Sequence, residues 1–163
     1  MPVFELAAML YLGVLCGHIA WRDWHLFRID DRANLLLMAG GIVQALTLRM
    51  AAGSGPGAAL LWTFGEIAVC GASFLVLRLV FRYMTGRHGL GLGDVKFAAA
   101  AGAWTGIVAF PWMVMCASLL ALIYVAARAL GEGRWMGGRR IPFGAFLAPS
   151  LFATWTVMRV LAT

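Results

Sequence analysis

The chain has 163 residues, of which 63% are hydrophobic and 12% are charged, and its formal net charge is +6. A soluble domain carries about twice that share of charged residues, so the composition excludes an ordinary soluble protein. The positive charge does not indicate nucleic acid, because the basic residues stand singly or in pairs between apolar stretches. We therefore expect a single integral-membrane domain over residues 1–163, surrounded by membrane lipid and without a nucleic-acid partner.

Six apolar segments follow one another along the chain, and most are near the ~20 residues that a helix needs to cross the hydrocarbon core. In chain order they are residues 3–21, 35–52, 58–81, 95–110, 111–130 and 142–161. The boundary between the fourth and the fifth segments rests on a turn signal around Gly106 and on Pro111. The pattern predicts an all-α, polytopic membrane protein with about six transmembrane helices.

The basic residues predict the orientation of these helices. All of the 13 lysines and arginines except Arg49 and Arg159 fall on loops or flanks that share one side of such a bundle. Lysine and arginine are retained on the cytoplasmic side during insertion. We therefore expect that side to face the cytoplasm and both termini to lie outside it.

Two of the seven acidic residues stand at the predicted inner ends of separate helices. Asp23 follows the first apolar segment and Asp94 opens the fourth, so the predicted topology brings both to one level of the membrane. Such a pair suits an aspartic protease, in which the deprotonated carboxylate activates water and the protonated one donates to the developing oxyanion. Like charges held close cannot both ionise, so we expect one shared proton.

Each acidic residue also has a plainer explanation when it is taken alone. Asp94 could be a helix N-cap after ordinary loop glycines, and Asp23 could be an interfacial carboxylate paired with Arg22 or Arg28. Their common level in the membrane favours the catalytic interpretation. For Glu66, inside the third segment, we prefer a neutral carboxylate that is hydrogen-bonded to another helix over a proton relay.

Glycines surround Asp94 in the sequence. Gly89, Gly91 and Gly93 precede it and allow the backbone to approach a bound peptide closely. Lys96 could bind anionic substrate groups or adjust the pKa of Asp94. The plainer alternative is that its side chain only extends to the membrane interface. The histidines show no HExxH spacing and the cysteines no CxxC pair, so we expect no metal and no cofactor.

Three blocks of this sequence together resemble the type IV prepilin peptidases, the GxGD family of intramembrane aspartic proteases. GLGDVK, at residues 91–96, matches the family's GxGDxK motif at every fixed position. DWHLFRIDDRANLLL, at residues 23–37, is similar to the stretch with the family's first catalytic aspartate, although Asp30 replaces the usual proline. IPFGAFLAP, at residues 141–149, resembles the Pro-Phe-Gly segment that opens the family's last helix.

The resemblance implies a hydrolase of pilus biogenesis, located in the bacterial inner membrane, in which Asp23 and Asp94 are the catalytic pair. It also implies residues that bind substrate or shape the loops: Gly91, Gly93, Lys96, Pro142, Phe143 and Gly144. The implied partners are prepilins, in which a short basic leader precedes an apolar helix. Whether pilin-like proteins are cut as well, and in which oligomeric state the chain works, stay open.

The chain lacks the length and the paired CxxC motifs of larger family members, which methylate the new pilin N-terminus. We therefore expect no separate methyltransferase domain and a short form that resembles the peptidases of tight-adherence (Flp) pilus systems. Three alternatives stay open: an archaeal-type preflagellin peptidase, a small proton-coupled membrane transporter, and a non-catalytic scaffold for pilus assembly.

Overall fold

The computed structural model describes residues 3–86, 89–132 and 141–161. Five helices occupy these ranges: α1 (Val3–Leu26), α2 (Asp31–Ala51), α3 (Pro56–Thr85), α4 (Leu92–Glu132) and α5 (Gly144–Leu161). No strand occurs within the described ranges. All five helices are long and apolar enough to cross a membrane, which confirms the predicted all-α, polytopic membrane fold.

Local sequence explains where these helices begin and end. Asp30 is the N-cap of α2, and its carboxylate accepts a hydrogen bond of 3.1 Å from the Arg32 N–H. Pro56, whose missing N–H would be unpaired in the first turn anyway, opens α3. Gly86 ends α3 in the left-handed conformation, with φ of 67°, and its N–H donates to the Arg82 carbonyl.

The region of α4 differs from the prediction of two separate helices over residues 95–110 and 111–130. The structure has one 41-residue element, which is interrupted at Gly106 with φ of 64° and ψ of 178°. That part of backbone space is open almost only to glycine. The break therefore lies at Gly106, and Pro111 lies inside the second helical segment. The fourth and fifth predicted helices are thus two segments of one element, and the described chain has five helical elements where six were expected.

The chain reverses its direction at Gly106. A straight helix of this length would measure about 60 Å, roughly twice the hydrocarbon thickness of a bilayer. Instead, Tyr124 in the second segment lies with its ring 5.3 Å from Trp24, near the end of α1, and 5.6 Å from Phe146, in the first turn of α5. The first segment of α4 begins at that same end, beside the first residue of α2. The two segments of α4 thus run in opposite directions.

We call this end of the bundle, where α1 and α3 end and α2, α4 and α5 begin, the Asp23 end. The first segment of α4 occupies the centre of the bundle, and its small residues lie close to α3. A Cβ atom added to Gly102 would lie 2.8 Å from Cys70 Cβ, and one added to Gly71 would lie 2.9 Å from Ala99 Cβ. Small residues allow this close approach of helices inside a bilayer.

Glu66 lies in the half of α3 that is far from the Asp23 end. It forms an ion pair with Arg49 in the last turn of α2. The predicted contact of Glu66 with another helix therefore exists, but the partner is a positively charged side chain. The short turn between α2 and α3 brings the two side chains together. The Glu66 carboxylate also lies against the break in α4, because a Cβ atom on Gly106 would be 2.9 Å from Glu66 Oε1.

We predict that Gly106→Ala lowers the free energy of unfolding in detergent by about 1–3 kcal/mol, because alanine is strained at this φ and ψ. Its methyl group would also meet the Glu66 carboxylate. The matched control is Gly65→Ala, where an added Cβ has no atom within 4 Å and helix propensity favours alanine. Equal stability changes in the two variants, measured by denaturant unfolding, would contradict the assigned role of Gly106.

Candidate active site

The carboxylate of Asp23 is held against the start of α5. Asp23 lies near the end of α1 and is 5% exposed. Its Oδ2 atom accepts a hydrogen bond of 2.9 Å from the backbone N–H of Ala145. The first turn of a helix has unpaired N–H groups and a partial positive charge, so the N-terminus of α5 is a favourable place for this side chain.

The Pro-Phe-Gly segment lets α5 begin this close to Asp23. A Cβ atom added to Gly144 would lie 2.7 Å from Ile29 Cδ1 and 3.0 Å from Asp23 Oδ2, so only glycine fits without displacement. Pro142 is buried, and its carbonyl accepts a second hydrogen bond from the Ala145 N–H, at 3.2 Å. Pro142 and Gly144, both predicted site residues, therefore hold the start of α5 against Asp23 and do not line the cavity described below.

Asp94 is the third residue of α4 and is partly buried. Its Oδ2 atom accepts a hydrogen bond of 3.0 Å from the backbone N–H of Gly91. This is the return half of a capping box, in which the third helical residue pairs with the backbone before the helix. Asp94 thus has a part in starting α4, but as the residue that reaches back and not as the N-cap itself.

Asp23 and Asp94 line one cavity of about 580 Å³ at the Asp23 end of the bundle. The other lining residues come from the end of α1, the α1–α2 loop, the first residue of α2 and the start of α4: Arg22, Phe27, Arg28, Ile29, Asp30, Asp31, Gly91, Leu92, Gly93 and Lys96. The two carboxylates are close enough to interact electrostatically. Since a water molecule in the liquid occupies about 30 Å³, the cavity has room for several waters or for an extended peptide.

The plainer explanation of Asp23, an ion pair with a neighbouring arginine, does not hold. Arg22 pairs with Asp30, with Nη1 and Oδ2 3.1 Å apart, and Asp23 has no ion pair within the described residues. Asp30 has φ of −71°, a value that proline also adopts. The α1–α2 loop therefore accommodates aspartate at this position in a backbone conformation suited to proline.

Lys96 lies at the cavity but does not contact Asp94. Its Nζ atom is 2.7 Å from Oδ1 of Asp31, the first residue of α2, and both side chains are more than half exposed. Such an exposed pair contributes little to stability. Within the described ranges, no group of three His, Cys, Asp or Glu side chains could hold a metal ion.

Two side chains that sequence reasoning missed hold the loops of the site together. Ile29 packs between both glycine segments, because Cβ atoms on Gly93 and on Gly144 would lie 3.2 Å and 2.7 Å from its side chain. Asn34, in the first turns of α2, is 4% exposed, and its Nδ2 atom donates to the Gly93 carbonyl at 3.3 Å. In the sequence, Asn34 is an amide residue just before an apolar stretch. Amide residues are common at such positions, so this signal does not single it out.

Comparison with known proteins relates the chain to peptidases. The sequence model of the type IV leader peptidase family matches residues 10–126, a range that includes Asp23 and Asp94. The chain is 32% identical over 148 residues to a prepilin leader peptidase/N-methyltransferase of Aeromonas salmonicida, covering 88% of this chain and 46% of the relative. It is 41% identical over 88 residues to a prepilin leader peptidase/N-methyltransferase of Dichelobacter nodosus, covering 51% of this chain and 29% of the relative.

A third relative is leader peptidase HopD of Escherichia coli, to which the chain is 38% identical over 80 residues, covering 49% of this chain and 52% of the relative. The matches thus cover between 29% and 52% of the length of these three relatives. No solved structure matches the chain.

The contact between Asp23 and α5 can be tested without an activity assay. We predict that Gly144→Ala separates the start of α5 from the Asp23 carboxylate, so that the Ala145 amide loses the shorter of its two hydrogen bonds and keeps only the one to the Pro142 carbonyl. Hydrogen exchange followed by mass spectrometry should show faster exchange in the peptide that contains residues 144–147. The control is Gly17→Ala in α1, where an added Cβ has no atom within 4 Å; unchanged exchange in both variants would refute the close contact.

Proposed function

The chain belongs to the type IV leader peptidase family, and we propose that it is an aspartic endopeptidase that removes the basic leader of Flp-type prepilins. The observation that carries this proposal is the single cavity lined by Asp23 and Asp94, which come from α1 and α4. Two carboxylates in one cavity are the minimum that an aspartic protease needs to activate water and to protonate the substrate.

The proposed reaction uses the two carboxylates as a pair with one proton between them. The deprotonated carboxylate takes a proton from a water molecule, whose oxygen attacks the carbonyl carbon of the scissile peptide bond. The protonated carboxylate donates its proton to the oxygen that becomes negative. When the C–N bond breaks, the leaving nitrogen takes a proton from the carboxyl group that received one from water, and the oxyanion proton returns to the pair.

We propose that the Asp23 end of the bundle faces the cytoplasm. The sequence concentrates lysines and arginines at this end, as expected for cytoplasmic loops. Glu5 and Arg159, near the start of α1 and the end of α5, interact electrostatically at the opposite end. This arrangement favours two termini outside the cytoplasm and a cut on the cytoplasmic side of a bacterial inner membrane.

The expected consequence for Asp23→Asn and Asp94→Asn is a loss of prepilin cleavage of about 10²- to 10⁴-fold each, because each removes one member of the acid–base pair. The measurement is the ratio of cut to uncut prepilin when enzyme and substrate are expressed together. Glu66→Gln is the control, since its carboxylate pairs with Arg49 far from the cavity. Full processing by both aspartate variants would eliminate the protease proposal.

A second prediction concerns Asn34. Removing its hydrogen bond to Gly93 in Asn34→Ala should loosen the segment that carries Asp94 and lower kcat about fivefold, the equivalent of one hydrogen bond. Thr63→Ala is the control, because Thr63 is also a buried polar residue whose side chain donates to a backbone carbonyl, but it lies in α3 outside the cavity. If both variants lose activity in proportion to their loss of folded protein, Asn34 has no part in positioning Asp94.

We further propose that the product leaves with an unmethylated N-terminus, although the names of two of the relatives include an N-methyltransferase activity. Mass spectrometry of the mature pilin gives the cleavage site and the methylation state in one measurement. A product that is heavier by one methyl group, formed by this chain alone, would contradict this part of the proposal.

A further inference from the structure

A second depression lies between α1 and α2, in the half of the bundle that is far from the acidic cavity. It has a volume of about 410 Å³. We call it the α1–α2 groove, and its walls are mainly small or apolar side chains: Ala7, Ala8 and Tyr11 of α1, and Ala39, Gly40 and Val43 of α2. The Tyr11 ring already covers Gly40, so a helix that enters the groove would pack on this ring and on the alanines of both walls.

Gln44 gives an independent sign that something is missing from this groove. Its side chain also lines the groove and is only 3% exposed. Within the described part of the chain, its Oε1 atom has no hydrogen-bond partner. A buried polar atom without a partner is costly, and more so where lipid replaces water, so the described chain leaves one polar group unsatisfied in the floor of the groove.

The α1–α2 groove and the acidic cavity lie along one seam. On α1, residues 4, 8, 11, 15, 18 and 22 follow each other at intervals of three or four and so share one face of the helix. Phe4 and Tyr11 of this series line the groove, and Arg22 lines the acidic cavity. On α2, Leu36, half exposed, continues the groove wall toward the cavity, and its carbonyl accepts a hydrogen bond from Tyr11 at 2.7 Å.

We propose that the α1–α2 groove receives the apolar helix of the leader-bearing substrate while its leader lies in the acidic cavity. The groove proposal rests on the proposed peptidase function, because a leader bound in the acidic cavity fixes the level at which the substrate's helix begins. At 1.5 Å per residue, Tyr11 and Phe4 lie about 18 Å and 28 Å from the level of Asp23. The substrate residues in the groove are therefore those about 12 to 19 positions after the cut.

The first experiment fills the groove and compares two substrates. Ala39→Trp should raise KM for a full-length prepilin about tenfold, as expected when one well-fitted apolar contact is lost, and should leave the cleavage of a short peptide without the apolar helix unchanged. Ala68→Trp is the control, since Ala68 is an exposed residue of α3 outside the groove. An equal loss with both substrates, or no loss with either, would overturn the proposal.

A second experiment detects the contact without catalysis, so that the groove and the peptidase proposal can fail separately. In the Asp94→Asn variant, a photo-crosslinking residue replaces Val43, which lies in the groove and is 59% exposed. The control position is Val76 of α3, which is 57% exposed. Crosslinks from position 43 to prepilin residues about 12 to 19 after the cut are the expected result. Crosslinks to lipid alone, or equal prepilin crosslinking from both positions, would overturn the proposal even if the wild-type chain cuts prepilin.

Discussion

The hydrogen bond from the Ala145 N–H to the Asp23 carboxylate joins residues that are 122 positions apart, and the rest of the candidate site is arranged around it. It sets the end of α1 against the start of α5, with a buried carboxylate between them. Because Gly144 has no side chain, Ile29 can fill the remaining space. Ile29 also contacts Gly93, which immediately precedes Asp94, so one side chain packs against the segments that hold both carboxylates.

The bilayer imposes a second constraint, because each charge at depth needs a partner or a wet cavity. At the Asp23 end, Asp30 pairs with Arg22 and Asp31 pairs with Lys96. Glu66, deeper in α3, pairs with Arg49 beside the break in α4. Asp23 and Asp94 differ from these residues, because they share a cavity and form no ion pair within the described residues. That contrast distinguishes the proposed catalytic pair from the charges that form ion pairs.

The reversal of α4 at Gly106 connects these two constraints. It allows one continuous stretch of chain to begin with Asp94, to fill the centre of the bundle and to return to the Asp23 end, where Tyr124 meets Trp24 and Phe146. The central segment packs closely against α3, and a groove remains between α1 and α2. A substrate helix that approaches through lipid would meet this groove without disturbing the centre of the bundle.

The sequence by itself determined the membrane class, the helical fold, the placement of Asp23 and Asp94 at helix ends and the turn signal near Gly106. These features follow from composition, from segment length and from the backbone preferences of glycine, all of which are local properties. It did not reveal the Arg49–Glu66 pair, the contact of Asn34 with Gly93, the position of Ile29 between two glycines, or Gly106 rather than Pro111 as the break. Only the tertiary structure decided these, because each depends on which faces of distant helices meet, and an apolar chain in lipid has little amphipathic pattern to show which face is turned inward.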